Sequence, residues 1–155
     1  MRRALLALGL AAGLALGSAA AARPASQSRA ALTERNRAIV TAFAHRFYDQ
    51  RDVRGAFEAF VAPEYIQHNP SIPDGRDAAI AALEPKFSAP TASFSVKRII
   101  VDGDMAVIHL HGRPSPDNPG GAVADIYRLK DGRIVEHWDV LQPIQTQTVN
   151  PHPYF

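Results

Sequence analysis

"DIYRLKDGRIVEHWDVLQ", Asp125 to Gln142, places two β-rich runs on either side of Asp131-Gly132. An Asp-Gly pair between such runs is a strong hairpin signal, so 122–129 ("AVADIYRL") and 133–141 ("RIVEHWDVL") are predicted to be antiparallel strands. The same stretch gathers Asp125, Glu136, His137, Trp138 and Asp139, and the register decides which of them meet. A strict two-residue turn pairs Asp125 with Trp138 and sends His137 and Asp139 to the opposite face. A three-residue loop with a bulge shifts the pairing by one and brings Asp125, His137 and Asp139 together. The sequence leaves both registers open. In either, at least one carboxylate faces the interior, where burial disfavours its charged form and suits it to moving protons near neutral pH. The competing reading is a solvent-face carboxylate paired with Arg98, Arg128 or Arg133.

Upstream, the device repeats. "SFSVKRIIV" (93–101) and "MAVIHLHGR" (105–113) flank an Asp102-Gly103 turn, which sets Val96 opposite His109 and Phe94 opposite His111. Both imidazoles then leave one face among apolar neighbours. They are either partly solvated at a sheet edge or polar groups inside a cavity, where each needs a hydrogen-bond partner. Between the hairpins, the three prolines of 114–121 exclude that loop from a sheet interior.

The first half has helical periodicity. Thr33 is read as an N-cap, followed by Ile39, Val40, Phe43, Ala44 and Phe47 on one apolar face, giving a helix to about Gln50. Asp52 caps a shorter helix through Phe57, Phe60 and Val61, ended by Pro63. "PDGRDAAIAALEPKF" (73–87) gives a turn at Asp74-Gly75 and a third helix with Ile80, Leu83 and Phe87 inward, which Pro85 breaks or kinks. Helices followed by an antiparallel meander make an α+β fold, with the helices packed on one face of a curved sheet.

The N-terminus opens with Arg2 and Arg3, an apolar run from Ala4 to Leu16, and small residues to Ala22. That layout predicts a secretory signal peptide over 1–22 and an exported product, periplasmic or secreted. The run is shorter than the roughly 20 apolar residues of a membrane span. Residues 23–32 read as a flexible leader, and 33–155 as one domain. With no cysteine, disulfides are excluded, and removing 1–22 leaves 15 basic and 15 acidic residues. That balance argues against nucleic-acid binding and against a polybasic membrane contact, leaving a small molecule or a protein as partner. The tail "TQTVNPHPYF" (146–155) is either loose or packs its terminal aromatics over something.

A metal set of His109, His111, His137 and Asp139 is conceivable, but its spacing has none of the specificity of an HExxH helix. No glycine-rich phosphate loop, GxSxG elbow or cysteine nucleophile is present, and the reading calls for no metal and no cofactor. Proton transfer in a pocket is what remains.

"YIQHNPSIPDGR" (65–76) and "DIYRLKDGRIVEHWDVLQ" (125–142) together resemble the SnoaL-like polyketide cyclases of the nuclear transport factor 2-like (NTF2-like) superfamily. The resemblance implies a cone of three N-terminal helices and a strongly curved, mainly antiparallel sheet around a pocket. It implies an intramolecular aldol closure or isomerisation with Asp139 as acid/base, Asp125 standing where the partner is often histidine. It favours the bulged register. It further implies that Tyr65 and His68 point at a small hydrophobic or carbonyl-containing ligand, with His111 as another candidate to stabilise an enolate oxygen. His137 is a further ligand-facing candidate, Trp138 is either a wall of the site or a sheet-packing anchor, and Phe43 and Phe47 would form an apolar floor. The alternative is a non-catalytic binding protein using the same cavity. Separately from the resemblance, an oligomerisation module whose sheet face makes a homodimer is a third reading, compatible with the other two.

Overall fold

The computed structural model describes residues 25–155. The signal peptide expected over 1–22 lies outside the described residues. The chain runs through α1 (Ala25–Ala44), a π-helical turn (His45–Asp49), α2 (Val53–Phe60), β1 (Val61–Gln67), α3 (Arg76–Phe87), β2 (Ser93–Asp102), β3 (Met105–Arg113), β4 (Gly121–Lys130) and β5 (Arg133–Pro143). The five strands form one sheet in the order β1-β5-β4-β3-β2, with β1 parallel to β5 and all other pairs antiparallel. Three helices on one face of a mixed sheet match the α+β expectation.

Several local readings change. α1 begins at Ala25, so the leader expected over 23–32 is helical from that residue on, and Thr33 lies inside the helix instead of capping it. Thr33 Oγ1 accepts from the Gly103 N–H at 2.8 Å, and Asn36 Nδ2 donates to the Gly103 carbonyl at 2.8 Å. The helix thus grips the β2–β3 turn from both sides of one residue. The π turn closes with Gln50 N–H to His45 O at 3.0 Å, and within it the consecutive aromatics Phe47 and Tyr48 are both buried. Pro85 neither breaks nor ends α3; it sits on the exposed side of the last turn, where a missing N–H removes one backbone bond and the helix continues to Phe87.

Val61–Gln67 forms a strand that the sequence reading treated as a helix end and a loop. Pro63 is tolerated because β1 is an edge strand whose N–H groups need no second partner. The first hairpin turns at Gly103-Asp104, since Asp102 pairs with Met105. That turn sets Arg98 opposite His109, and a register shift between Val96 and Arg98 then sets Ser95 opposite His111. The second hairpin resolves the open register in a way neither alternative described. Asp131 (φ 51°) and Gly132 (φ 81°) make a two-residue turn with both φ positive, as a type I′ turn requires. The extra residue comes later, at Val135, so Leu129 pairs with Ile134 but Arg128 pairs with Glu136. Asp125 therefore lies opposite Asp139, and Tyr127 opposite His137.

The core lies between helices and sheet. Phe43 is fully buried among Phe47, Phe57, Phe60 and Tyr127, and the inward residues Ala106, Ile108, Leu110, Leu129 and Ile134 close it from the sheet side. No helix among the described residues is long and apolar enough to cross a membrane.

Asp52 ties α2 to the preceding turn: Oδ1 accepts from the Gly55 N–H at 3.0 Å, and Oδ2 from Arg46 Nε at 2.7 Å. These two bonds, the Arg46 one first, hold its carboxyl below the usual aspartate range. Its stabilising contribution is thus present above the unfolded-state value and is lost as the pH falls through the folded one. Asp52→Ala is expected to lower stability by about 1 kcal/mol at pH 7, the usual worth of an N-cap. In urea denaturation the gap between variant and wild type should narrow from pH 7 to pH 3; a gap that holds constant would mean that the charged form is not what caps α2.

Candidate active site

Between α3, the π turn and the inner face of β3–β5 lies a cavity of about 350 Å³, at the lower end of the roughly 300–1,000 Å³ of small-molecule sites. One wall is a slab of parallel rings: Phe47 on Phe87 at 4.4 Å between centroids, and Phe87 on Phe94 at 4.2 Å. Ile72, Leu83, Leu110, Val123 and Leu141 continue the apolar lining, and Lys86 stands exposed at the rim. Against this apolar body, one end is polar: Tyr48, Tyr65, Gln67, Asn69, Asp125, Tyr127, His137 and Asp139.

Strand alternation explains that polar end. Asp125 and Tyr127 on β4, and His137 and Asp139 on β5, point inward because the Val135 bulge puts the two strands in phase. On β1, Tyr65 and Gln67 also point inward, and the parallel pairing sets Gln67 beside His137. Asp125 Oδ2 accepts from the Tyr48 hydroxyl, whose oxygen lies 2.9 Å from that of Tyr127. Asp125 Oδ1 is 3.2 Å from His137 Nε2, and His137 Nδ1 is 2.8 Å from Gln67 Oε1. Asp139 Oδ2 accepts from Asn69 Nδ2 at 2.5 Å. Asn69 serves its turn as well, since its Oδ1 accepts from the Ser71 N–H.

Asp125 is 8 % exposed and His137 7 %, so these hydrogen bonds offset a desolvation cost that unpaired groups could not bear. Burial, reinforced by the Asp125 charge, pushes the phenols of Tyr48, Tyr65 and Tyr127 well above the ordinary tyrosine range. At neutral pH all three are therefore hydroxyl groups and not phenolates.

Of the residues expected at the site, Asp125, Asp139, Tyr65, His137 and Phe47 line the cavity. The other four do not. Phe43 lies one layer deeper, in the core. His68 follows Gln67 on the opposite phase of the strand and points outward, stacking on Trp138 at 4.7 Å with its Nε2 2.8 Å from Glu136 Oε1. Trp138 is outward because its neighbours His137 and Asp139 are inward. His111 also leaves the outer face, where its Nε2 meets the Pro119 carbonyl at 2.7 Å and Phe155 packs on it and on His109 at 5.3 Å. The tail thus packs on the outer sheet face and not over the cavity.

Placing His109 and His111 outside dissolves the metal set that combined them with His137 and Asp139. Asp125, His137 and Asp139 do each offer a ligand-type atom, and these atoms lie within 4.8 Å of one another. Each of the three is also held from behind by Tyr48, Gln67 or Asn69. Tyr48, Gln67, Tyr127 and Lys86 were missed as site residues. Tyr127 was within reach of the sequence, being two residues from Asp125 on one strand; Tyr48 was not, because its direction depends on the π turn.

The family model for the SnoaL-like domain matches residues 39–137. The chain belongs to the SnoaL-like domain family. Among solved structures, this SnoaL-like chain is similar to an NTF2-like protein of unknown function from Mesorhizobium loti. That match is 23 % identical with a TM-score of 0.62, covering 71 % of this chain and 93 % of the other. It is similar also to a putative polyketide cyclase from Acidithiobacillus ferrooxidans (19 %, TM-score 0.55, 69 % and 87 % covered). A putative ketosteroid isomerase from Kribbella flavida gives 18 %, a TM-score of 0.58, and 76 % and 85 % covered. At these identities the likeness is one of fold, the NTF2-like cone. No curated protein matches the chain.

The raised phenols have a measurable sign. Because the folded state holds Tyr48, Tyr65 and Tyr127 protonated while the unfolded state ionises them near pH 10, stability is expected to fall as the pH rises through that range. Spectrophotometric titration should show these three ionising only together with alkaline unfolding; reversible ionisation in the folded protein would contradict the buried network.

Proposed function

We propose that the pocket is a cofactor-independent acid–base site for a small carbonyl compound, with Asp139 moving the proton. The observation that carries this reading is the unequal engagement of the two facing carboxylates. Both oxygens of Asp125 are engaged, one by Tyr48 and one by His137, whereas Asp139 is held only through Oδ2. Asp139 thus has an oxygen available to a ligand, at the polar end of an apolar cavity.

The chemistry is an enolisation. Asp139 takes a proton from the carbon next to a carbonyl, and the electron pair of that C–H bond moves to the carbonyl oxygen. In this reading the Tyr65 hydroxyl, which lines the cavity, donates to that oxygen as charge develops. The enolate carbon then attacks a second carbonyl of the same molecule, an aldol-type cyclisation, or is reprotonated at another carbon, an isomerisation. Asp139 returns the proton in either case. The slab of Phe47, Phe87 and Phe94 suits a flat, apolar ligand body.

The extent of apolar lining favours a second reading, a binding protein that holds a hydrophobic ligand without turnover. Two further proposals accompany both. Residues 1–22 carry the signature of export, so the ligand would be met in the periplasm or outside the cell. A homodimer through the outer sheet face is supported by Ile100, Val107, Ile126 and Trp138, which are cross-strand neighbours in one apolar row over four strands.

Asp139→Asn keeps size and the Asn69 contact region but removes the base. If the site is catalytic, hydrogen–deuterium exchange of enolisable ketones followed by NMR should slow at least about 100-fold, the usual worth of a general base. Ligand affinity should change little. Absence of exchange in the wild type, with the substitution altering affinity alone, would establish the binding reading instead.

A further inference from the structure

One backbone N–H fixes the direction of several hydrogen bonds at the polar end of the pocket. The Asn69 N–H can only donate, and it meets one end of the Gln67 side-chain amide at 2.9 Å. That end must be the carbonyl oxygen, since an NH2 group there would set two donors against each other. The same oxygen lies 2.8 Å from His137 Nδ1, so Nδ1 must carry a hydrogen and donate it. The other end of the amide, Nε2, lies 3.3 Å from Tyr65 Oη and must donate to it. Tyr65 Oη therefore spends a lone pair on Gln67 and keeps its own hydrogen. Tyr65 is 2 % exposed, lines the cavity, and makes no other side-chain hydrogen bond among the described residues.

We infer that Gln67 is a positioning residue, which holds the His137 proton on Nδ1 and turns the Tyr65 hydroxyl hydrogen toward the ligand space. A further consequence falls on Asp125. With Nδ1 protonated, His137 Nε2 and Asp125 Oδ1, 3.2 Å apart, hold together only with a second proton between them, because both would otherwise be acceptors. Asp125 and His137 thus share one proton as a unit. At the polar end, apart from the exposed Ser71 hydroxyl at the rim, the pocket presents a ligand with the buried Tyr65 hydroxyl as donor and Asp139 as the carboxylate with an unengaged oxygen. That pairing selects a ligand carrying an acceptor oxygen beside a removable proton. The inference rests on the acid–base reading for its meaning, but its test needs no substrate.

The test is long-range ¹H–¹⁵N correlation of the histidine rings and ¹³Cζ observation of the tyrosines in the full mature chain, with His137→Asn and Tyr65→Phe assigning the signals. The wild type should show His137 protonated at Nδ1. In Gln67→Glu the carboxylate still accepts from Asn69 N–H and His137 Nδ1 but has no hydrogen to give. The His137 pattern should therefore persist, while Tyr65 ¹³Cζ moves downfield as its hydroxyl turns from the cavity to donate to the new carboxylate. In Gln67→Met, which is similar in length and without an acceptor oxygen, the Nδ1 proton should be lost in favour of Nε2. An unprotonated Nδ1 in the wild type, or a Tyr65 signal unmoved in the near-isosteric Gln67→Glu, would overturn the inference. Failure of the acid–base reading looks different: no turnover, with the Nδ1 and Tyr65 signatures intact.

Discussion

One unpaired residue, Val135, governs what this protein can do. A type I′ turn at Asp131-Gly132 closed by an unbroken ladder would put Trp138 inside and His137 and Asp139 in solvent. The bulge reverses the phase of β5 beyond that point while leaving Ile134 in the core. Two requirements are thereby met on one strand: an apolar anchor near the turn and polar side chains facing the cavity further along. The same reversal sends Glu136 and Trp138 outward. There Glu136 pairs with His68 and Arg128, which, His68 first, hold its carboxyl below the usual range, and Trp138 stacks under His68.

The polar network is an expensive thing to bury, and its parts come from far apart in the chain. Tyr48 reaches Asp125 from a π-helical turn, while Gln67 and Asn69 reach His137 and Asp139 from the end of β1. Each of the three supporting residues satisfies a different target, and together they offset the desolvation of the buried Asp125 and His137 and hold one oxygen of Asp139. The parallel β1–β5 pairing is what delivers two of them. An edge strand that looks dispensable in the sheet thus supplies the partners of polar groups carried by its interior neighbours, β4 and β5.

Much of this was legible in the sequence. Alternation and Asp-Gly turns placed β2 to β5 nearly residue by residue, and the capping pattern placed α2 at Asp52, because these elements are set by local rules. β1 was not legible: "VAPEYIQ" carries a proline, follows a helix without a linker, and becomes a strand only because β5 offers an edge. The site was legible where it depended on strand phase, as for Asp125 and Asp139 once the bulged register was favoured. It was not where it depended on a third element. His68 looked like a ligand-facing residue, as Tyr65 is, yet it directly follows the inward Gln67 and so points to the opposite face, and assigning the segment as a loop concealed that. His111 was misplaced for a related reason: His109 and His111 were read as facing apolar partners, whereas Ile108 and Leu110 are the inward residues of β3.

Pro63 has a meaning beyond its tolerance at an edge. A sheet with two open rims can grow by accepting further strands, and such growth leads to aggregation. At one rim, β1 lacks a donor at Pro63 and is irregular between Val61 and Ile66. At the other, β2 is interrupted between Val96 and Arg98 and carries Lys97 at that interruption. Neither rim offers an unbroken row of donors and acceptors to an added strand, so rim-to-rim polymerisation is blocked at both ends.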